Sequence, residues 1–441
     1  MIKNREELAK DWRHALLLDA LEEVLAAADP RRAVLGVVKR RGGVAEVAGV
    51  ELRGRVHVVG FGKASRAMAE ALVEALGDLV AGGVVIDPAV EGQVGPVKVV
   101  RGDHPTPGPN TVRASQELLE YLASVGREDS LVVLVSGGGS SLFEVPEDGV
   151  SLDDISRLTQ ELMRRGADIV ELNAVRKRLS RVKGGKLLKL IKAQRVVSLI
   201  ISDVVGDRLD VIASGPTAPD ESTREDAIRV LKKYGLWDGL PPGVRRAVES
   251  GADTVRRGDP LLDNVVNVVV ASNVQSLRRA AQFLSAKGFN AVVLTAMLEG
   301  EAREVGRVLA SVAKSALAHA LPAPKPAAVL AGGETVVTVR GNGVGGRNQE
   351  LCLSFAIAVR GSRDVVAACM GTDGVDGNSP AAGAVVDGLT AEEAEKAGLD
   401  PYAHLANNDS YTFFKALGRA IYTGYTGTNV NDVFIALVAD L

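Results

Sequence analysis

Two glycine-rich loops hold residue types that suit an anion. In Gly60-Phe61-Gly62-Lys63-Ala64-Ser65 an apolar run turns through Gly-x-Gly into a helical pattern. Glycine lets a backbone or a phosphate approach closely, and the free N–H groups of a first helical turn favour negative charge. Lys63 beside the positive end of that helix is locally unfavourable unless an anion sits between them. The loop departs from two known fingerprints. Ser65 holds the place of the third glycine of a dinucleotide loop, and His57 stands where the Walker loop begins with glycine. The second loop, Ser136-Gly137-Gly138-Gly139-Ser140-Ser141, leaves successive peptide N–H groups uncovered so that they can converge. Its three serines add hydroxyl donors, a set that suits a polyphosphate or a carboxylate.

Acidic groups follow two other apolar runs: Asp203 with Asp207, and Asp373 with Asp376. Magnesium takes one or two carboxylates together with phosphate oxygens and water, so either pair suits it, while Asp beside Gly is also ordinary turn chemistry. Gly332-Gly333-Glu334-Thr335 and Gly345-Gly346-Arg347-Asn348-Gln349-Glu350 form a further glycine-rich pair. Arg347 offers a planar fork of donors for a carboxylate or a phosphoryl group, and an internal pair with Glu334 is the structural alternative. The polar stretch Thr423 to Asp432 suits either hydroxyl and phosphate contacts or a turn. The five histidines are scattered without metal-ligand spacing, and no Gly-x-Ser-x-Gly string supports a serine hydrolase.

These loops need a scaffold with one shared edge. The apolar runs Val56–Val59, Leu131–Val135, Val196–Ile201, Val265–Ala271 and Val365–Met370 end in Gly, Ser or Asp and lead into helical patterns such as Ala64–Leu76 and Asp153–Arg165. That rhythm predicts an α/β fold with mainly parallel sheets, whose ligands sit at the strand ends. Leu236–Pro260 collects glycine and proline without an apolar period and predicts a boundary, with one domain over residues 1–260 and a second over 261–441. The prolines of Leu321–Pro326 mark an inner break in the second.

The 441 residues carry 52 Lys plus Arg against 55 Asp plus Glu, so the formal charge is −3 and no cationic surplus addresses nucleic acid. With 46% hydrophobic and 24% charged residues the composition is that of a globular protein. Cys352 and Cys369 have no zinc-like neighbours, the first residues lack a signal-peptide core, and no apolar run spans a membrane. A cytoplasmic protein is expected.

Ten ordered strings, taken together, resemble the class II glycerate kinases, whose C-terminal region is the MOFRL domain. They are G-F-G-K-A-S at 60–65, H-P-T-P at 104–107, S-G-G-G-S-S at 136–141, L-S-R-V-K-G-G-K at 179–186, I-S-D-V-V-G-D at 201–207, I-A-S-G-P-T at 212–217, G-G-E-T at 332–335, G-G-R-N-Q-E at 345–350, G-T-D-G-x-D-G at 371–377, and T-G-x-T-x-x-N-V-x-D at 423–432. The resemblance implies two Rossmann-like α/β domains with an active-site cleft between them, the MOFRL-like region lying over about 325–435. It implies ATP-dependent phosphorylation of D-glycerate to 2-phosphoglycerate with a divalent metal such as Mg2+.

On the matching positions, the resemblance implies that Lys63 and Arg347 would be the two residues most directly tied to catalysis. Gly60, Gly62 and Ser136, Gly137, Gly138, Gly139, Ser140 and Ser141 would bind the nucleotide, Asp203 or Asp373 the metal, and Asp203 would accept the proton. The family continues its His-Pro loop with an acidic residue where this chain has Gly108. The competing expectations are an NAD(P)H-dependent hydroxypyruvate reductase and a non-catalytic sugar-acid binding protein. Whether the chain forms a homodimer is open at this level.

Overall fold

The apolar runs become strands because continuous Val, Ile and Leu suit a sheet covered on both faces. The computed structural model describes residues 1–440. They form two units: Pro30–Val270, and Met1–Asp29 together with the chain from Ala271 onward. The first unit opens with a small antiparallel meander, β1 (Val38–Arg41), β2 (Val44–Val47) and β3 (Val50–Leu52). Its main sheet holds β4 (Val56–Phe61), β5 (Val80–Asp87), β6 (Gly92–Val94), β7 (Val97–Arg101), β8 (Ser130–Val135), β9 (Arg195–Ile201) and β10 (Val265–Ala271). The spatial order is β10-β9-β8-β4-β5-β7-β6. The pairs β9–β8, β8–β4, β4–β5 and β5–β7 are parallel, and β6 turns back antiparallel on β7.

This order places the site. From β4 the chain builds outward through β5 and β7, then returns to lay β8 on the other flank of β4. That is a topological switch point, where the loops after two neighbouring strands diverge and leave a crevice. The loops after β4, β8 and β9 therefore leave the same sheet edge side by side.

The second unit holds β11 (Asn290–Leu298), β12 (Ala327–Gly333), β13 (Val365–Gly371), β14 (Gly383–Asp387), β15 (Ala420–Ile421) and β16 (Asp432–Val438), in the order β11-β12-β16-β13-β14-β15. Here the expected parallel pairing holds only between β11 and β12; β16 runs antiparallel to both β12 and β13, and β13–β14–β15 pair antiparallel. The segment from β13 to β14 carries no helix, and a parallel crossover needs one. The α/β layering stands, since helices such as Ala302–His319 and Arg347–Ala358 cover the sheet.

Two boundaries differ from the sequence reading. The first 29 residues belong with the C-terminal unit. Helix Trp12–Ala28, capped by Asp11, buries Leu17, Leu18, Leu21, Val24 and Leu25 in one cluster with Leu330, Val366 and Leu437 of the second sheet. The Gly/Pro-rich stretch 236–260 is no linker either. Its prolines start helix Pro242–Ser250, whose Val244, Ala247 and Val248 pack with Ile155, Leu162 and Leu231. Val265–Ala271 then closes the first sheet rather than opening a new domain. Among the described residues no helix is long and apolar enough to cross a membrane.

If the N-terminal helix is core to the second unit, Leu21→Ala leaves a cavity there and costs about 2–5 kcal/mol. Urea unfolding measures this, and a loss below about 1 kcal/mol would show that the helix is peripheral.

Candidate active site

The loops after β4 and β8 touch through backbone. Gly62 has φ +133°, and a Cβ there would overlap Ser136. Lys63 N–H donates to the Gly137 carbonyl at 2.9 Å, and Ser136 Oγ accepts from Ala64 N–H at 3.0 Å. Ser136 thus serves the start of helix Ser65–Leu76 with its hydroxyl. Ser141 Oγ donates to the Gly138 carbonyl at 3.0 Å, and Ser140 Oγ pairs with Ser214 Oγ at 2.9 Å. The Ser140 and Ser141 hydroxyls are therefore engaged within the loop and with its neighbour, while Ser136 Oγ is used as an acceptor. What the loop leaves open is backbone: among the described residues, the N–H groups of Gly137, Gly138 and Ser140 meet no protein acceptor.

Around those amides stand three side chains. Lys63 is exposed, and its ammonium makes no hydrogen bond or ion pair among the described residues. The Asp203 carboxylate abuts Gly137, and a Cβ on Gly138 would lie 3.0 Å from His104 Nε2 and 3.4 Å from Lys63 Cγ. Burial, with Lys63 beside it, pulls the His104 pKa below the usual histidine value. His104 was not singled out by spacing, although its rigid Pro-rich loop carried a signal. Gly108 of that loop packs on Asp103, whose Oδ2 would sit 2.6 Å from a Cβ, so a side chain at 108 would disturb that contact. Asp207 adopts φ +52° in a turn.

Arg347 and Asp373 lie in the other unit. Arg347 opens helix Arg347–Ala358, and Asp376 holds that helix end. Asp376 accepts from the N–H groups of Asn348 at 3.0 Å and Gln349 at 2.9 Å, and from both side-chain amides. Burial still raises its pKa. Arg347 donates through Nε and Nη2 to Asp432, and its Nη1 lies 3.0 Å from Glu334. The pair with Glu334 expected as the structural alternative is thus present, with Asp432 added. Burial alone would lower the Arg347 pKa; Asp432 and Glu334 reverse this and hold it above the ordinary value. Burial pushes Asp432 up to about 6, against the pull of Arg347.

Asp373 accepts from Val375 N–H at 3.2 Å, an Asx turn, so Asp376 rather than Asp373 is the acid that holds the Arg347 helix. Arg347 forms one wall of a cavity of about 520 Å3 lined also by Thr335, Val336, Val339, Gly345 and Asn378. Among the described residues no cluster of three His, Cys, Asp or Glu holds metal geometry. The donor set that fits Mg2+ is one carboxylate, Asp203, next to amides suited to phosphate.

Open amides at a switch point of an α/β sheet, with a lysine and a carboxylate beside them, form a site whose chemistry suits an anion. Residues 16–249 match the family described as a domain of unknown function (DUF4147), and residues 327–432 match the MOFRL family. The chain is 46% identical over 387 residues to D-glycerate 2-kinase of Thermotoga maritima, covering 87% of this chain and 91% of that protein. It is 40% identical over 424 residues to glycerate 2-kinase of Pyrococcus horikoshii, covering 94% and 95%. The crystal structure of a glycerate kinase from Thermotoga maritima superposes with a TM-score of 0.87 at 42% identity, covering 96% of this chain and 99% of that one. The chain belongs to the glycerate kinase family built from these two regions.

Ionised Asp432 accepts the Arg347 fork and sets its plane. Below a pH of about 6 the carboxyl is neutral and that hold weakens, so turnover should fall on the acidic side with an apparent pKa near 6. A pH profile checks this, and Asp432→Asn should be slow and lack that limb. The same acidic limb in the variant would assign the titration elsewhere.

Proposed function

We propose that the protein is a glycerate 2-kinase that transfers the γ-phosphoryl group of ATP to the 2-hydroxyl of D-glycerate, giving 2-phospho-D-glycerate and ADP. The observation that carries this reading is the set of open Gly137, Gly138 and Ser140 N–H groups, with Lys63 and Asp203 at their rim. Phosphoryl transfer asks for positioning and charge stabilisation more than for a covalent intermediate.

In this reading the amides hold nucleotide phosphates. The bond from the 2-oxygen of glycerate to γ-phosphorus forms as the bond from γ-phosphorus to the bridging oxygen breaks. Lys63 meets the charge on the transferring group. The hydroxyl proton leaves late in a loose transition state, so a weak base such as the Asp203 carboxylate suffices. Asp203 would also hold Mg2+, which when bound offsets phosphate charge. Arg347, its plane set by Asp432 and Glu334, receives an anionic group of a substrate. The two cysteines are buried and unpaired, which suits the cytoplasm proposed for the protein. The reductase alternative gains nothing from the loop after β4, where the Ser65 hydroxyl donates to the Ile86 carbonyl at the place of the third glycine.

Incubation with D-glycerate, ATP and Mg2+, followed by phosphorus NMR, should yield 2-phosphoglycerate and ADP. Untouched substrates, or 3-phosphoglycerate, would contradict the proposal. Lys63→Ala and Arg347→Ala should each lower kcat by about 100-fold or more with unchanged circular dichroism. Turnover like that of the wild type would remove that residue from the mechanism.

A further inference from the structure

The helix Ile169–Leu179 ends in three consecutive cations, Arg176, Lys177 and Arg178. Two of them are paired. Lys177 Nζ donates to Asp220 at 2.8 Å, and Arg178 Nη2 donates to the Ser222 carbonyl at 2.8 Å and to Thr254 Oγ1 at 3.3 Å. The Arg176 guanidinium makes no hydrogen bond or ion pair among the described residues. Its Nε is shut off from solvent without an acceptor, whereas neither Nη is among the enclosed atoms, so the fork opens at its tip.

The face of the helix that carries Arg176 leads to the glycine loop. Asn173, one turn earlier, accepts from Ser214 Oγ at 3.0 Å, and Ser214 meets Ser140 Oγ at 2.9 Å. From the loop side, the chain runs through helix Gly139–Leu142 to Glu144, whose charge acts on Arg176. Glu144 is already committed: its Oε2 accepts from buried Lys183 Nζ at 2.7 Å, and its Oε1 is enclosed without a donor. Two cations thus share one carboxylate. The surplus is one positive charge beside a loop whose amides lack acceptors, and burying such a charge without a partner is costly.

We infer that Arg176 binds substrate, donating from its Nη nitrogens to an oxyanion held by the Ser136–Ser141 loop. This deepens the proposed function and rests on it for the identity of the substrates. A phosphate of the nucleotide and the carboxylate of glycerate share this chemistry, and the test separates them.

Arg176→Gln and Arg176→Lys are compared with the wild type by thermal unfolding, alone and with pyrophosphate or D-glycerate, and by steady-state kinetics. Without ligand, Arg176→Gln should melt at or above the wild-type temperature, because no native hydrogen bond is lost. If phosphate is the partner, stabilisation by pyrophosphate disappears and KM for ATP rises at least tenfold. If the carboxylate is the partner, stabilisation by D-glycerate disappears and KM for glycerate rises instead. Arg176→Lys should recover part of the lost effect. Unchanged stabilisation by both ligands with both KM values unchanged would overturn the inference, as would a lower melting temperature with both ligand effects intact. Should the wild type fail to phosphorylate glycerate, the kinase reading falls, and the pyrophosphate arm still decides whether Arg176 binds an anion.

Discussion

The contact of Gly62 with Ser136 is the constraint on which the site depends. With no Cβ at 62, the loop after β4 lies directly on the loop after β8, and Lys63 and Ala64 become hydrogen-bonded to it. The same device recurs next door. Gly137 gives way to Asp203 from the loop after β9, and Gly138 to His104. The loops after β4, β8 and β9 and the His104 loop after β7 close on one another because glycine stands at each meeting point. The backbone donors that remain, at Gly137, Gly138 and Ser140, meet no protein acceptor among the described residues and are left for solvent or a ligand.

The candidate site cations of the two units are held in opposite ways. In the first, Lys63 and Arg176 lack counter-ions of their own, which suits groups that receive a charged substrate and release it. In the second, Arg347 is fixed by Asp432 and Glu334, at the head of a helix held by buried Asp376. Such an arginine is preorganised, and the two carboxylates limit how much net positive charge it presents. In the proposed role of substrate clamp it would select by geometry more than by raw attraction.

Much of this was legible from residue types alone. Strand, glycine turn and helix follow one another over 56–76 as an α/β unit requires, and the string at 136–141 is expected at a strand end, where the fold places it. Other features carry no such signature. The apolar stripe of Trp12–Ala28 shows that a helix must be buried but not against which sheet. Val265–Ala271 fits the edge of either sheet. A strand buried on both faces looks the same whether its neighbours run parallel or antiparallel, so the pairing around β16 was hidden. Asp373 and Asp376 share one glycine-rich turn, and only the fold shows that Asp376 reaches the helix. Arg176 stood unnoticed in a basic run because what distinguishes it from Lys177 and Arg178 is the lack of a partner, which sequence does not record.

A crystal structure with D-glycerate and a non-hydrolysable ATP analogue tests the central claim, that the open amides after β8 are the phosphate site. The account predicts phosphate oxygens on the N–H groups of Gly137, Gly138 and Ser140, within hydrogen-bond distance of Lys63 Nζ. A triphosphate bound away from this loop, with these N–H groups still lacking an acceptor, would contradict it.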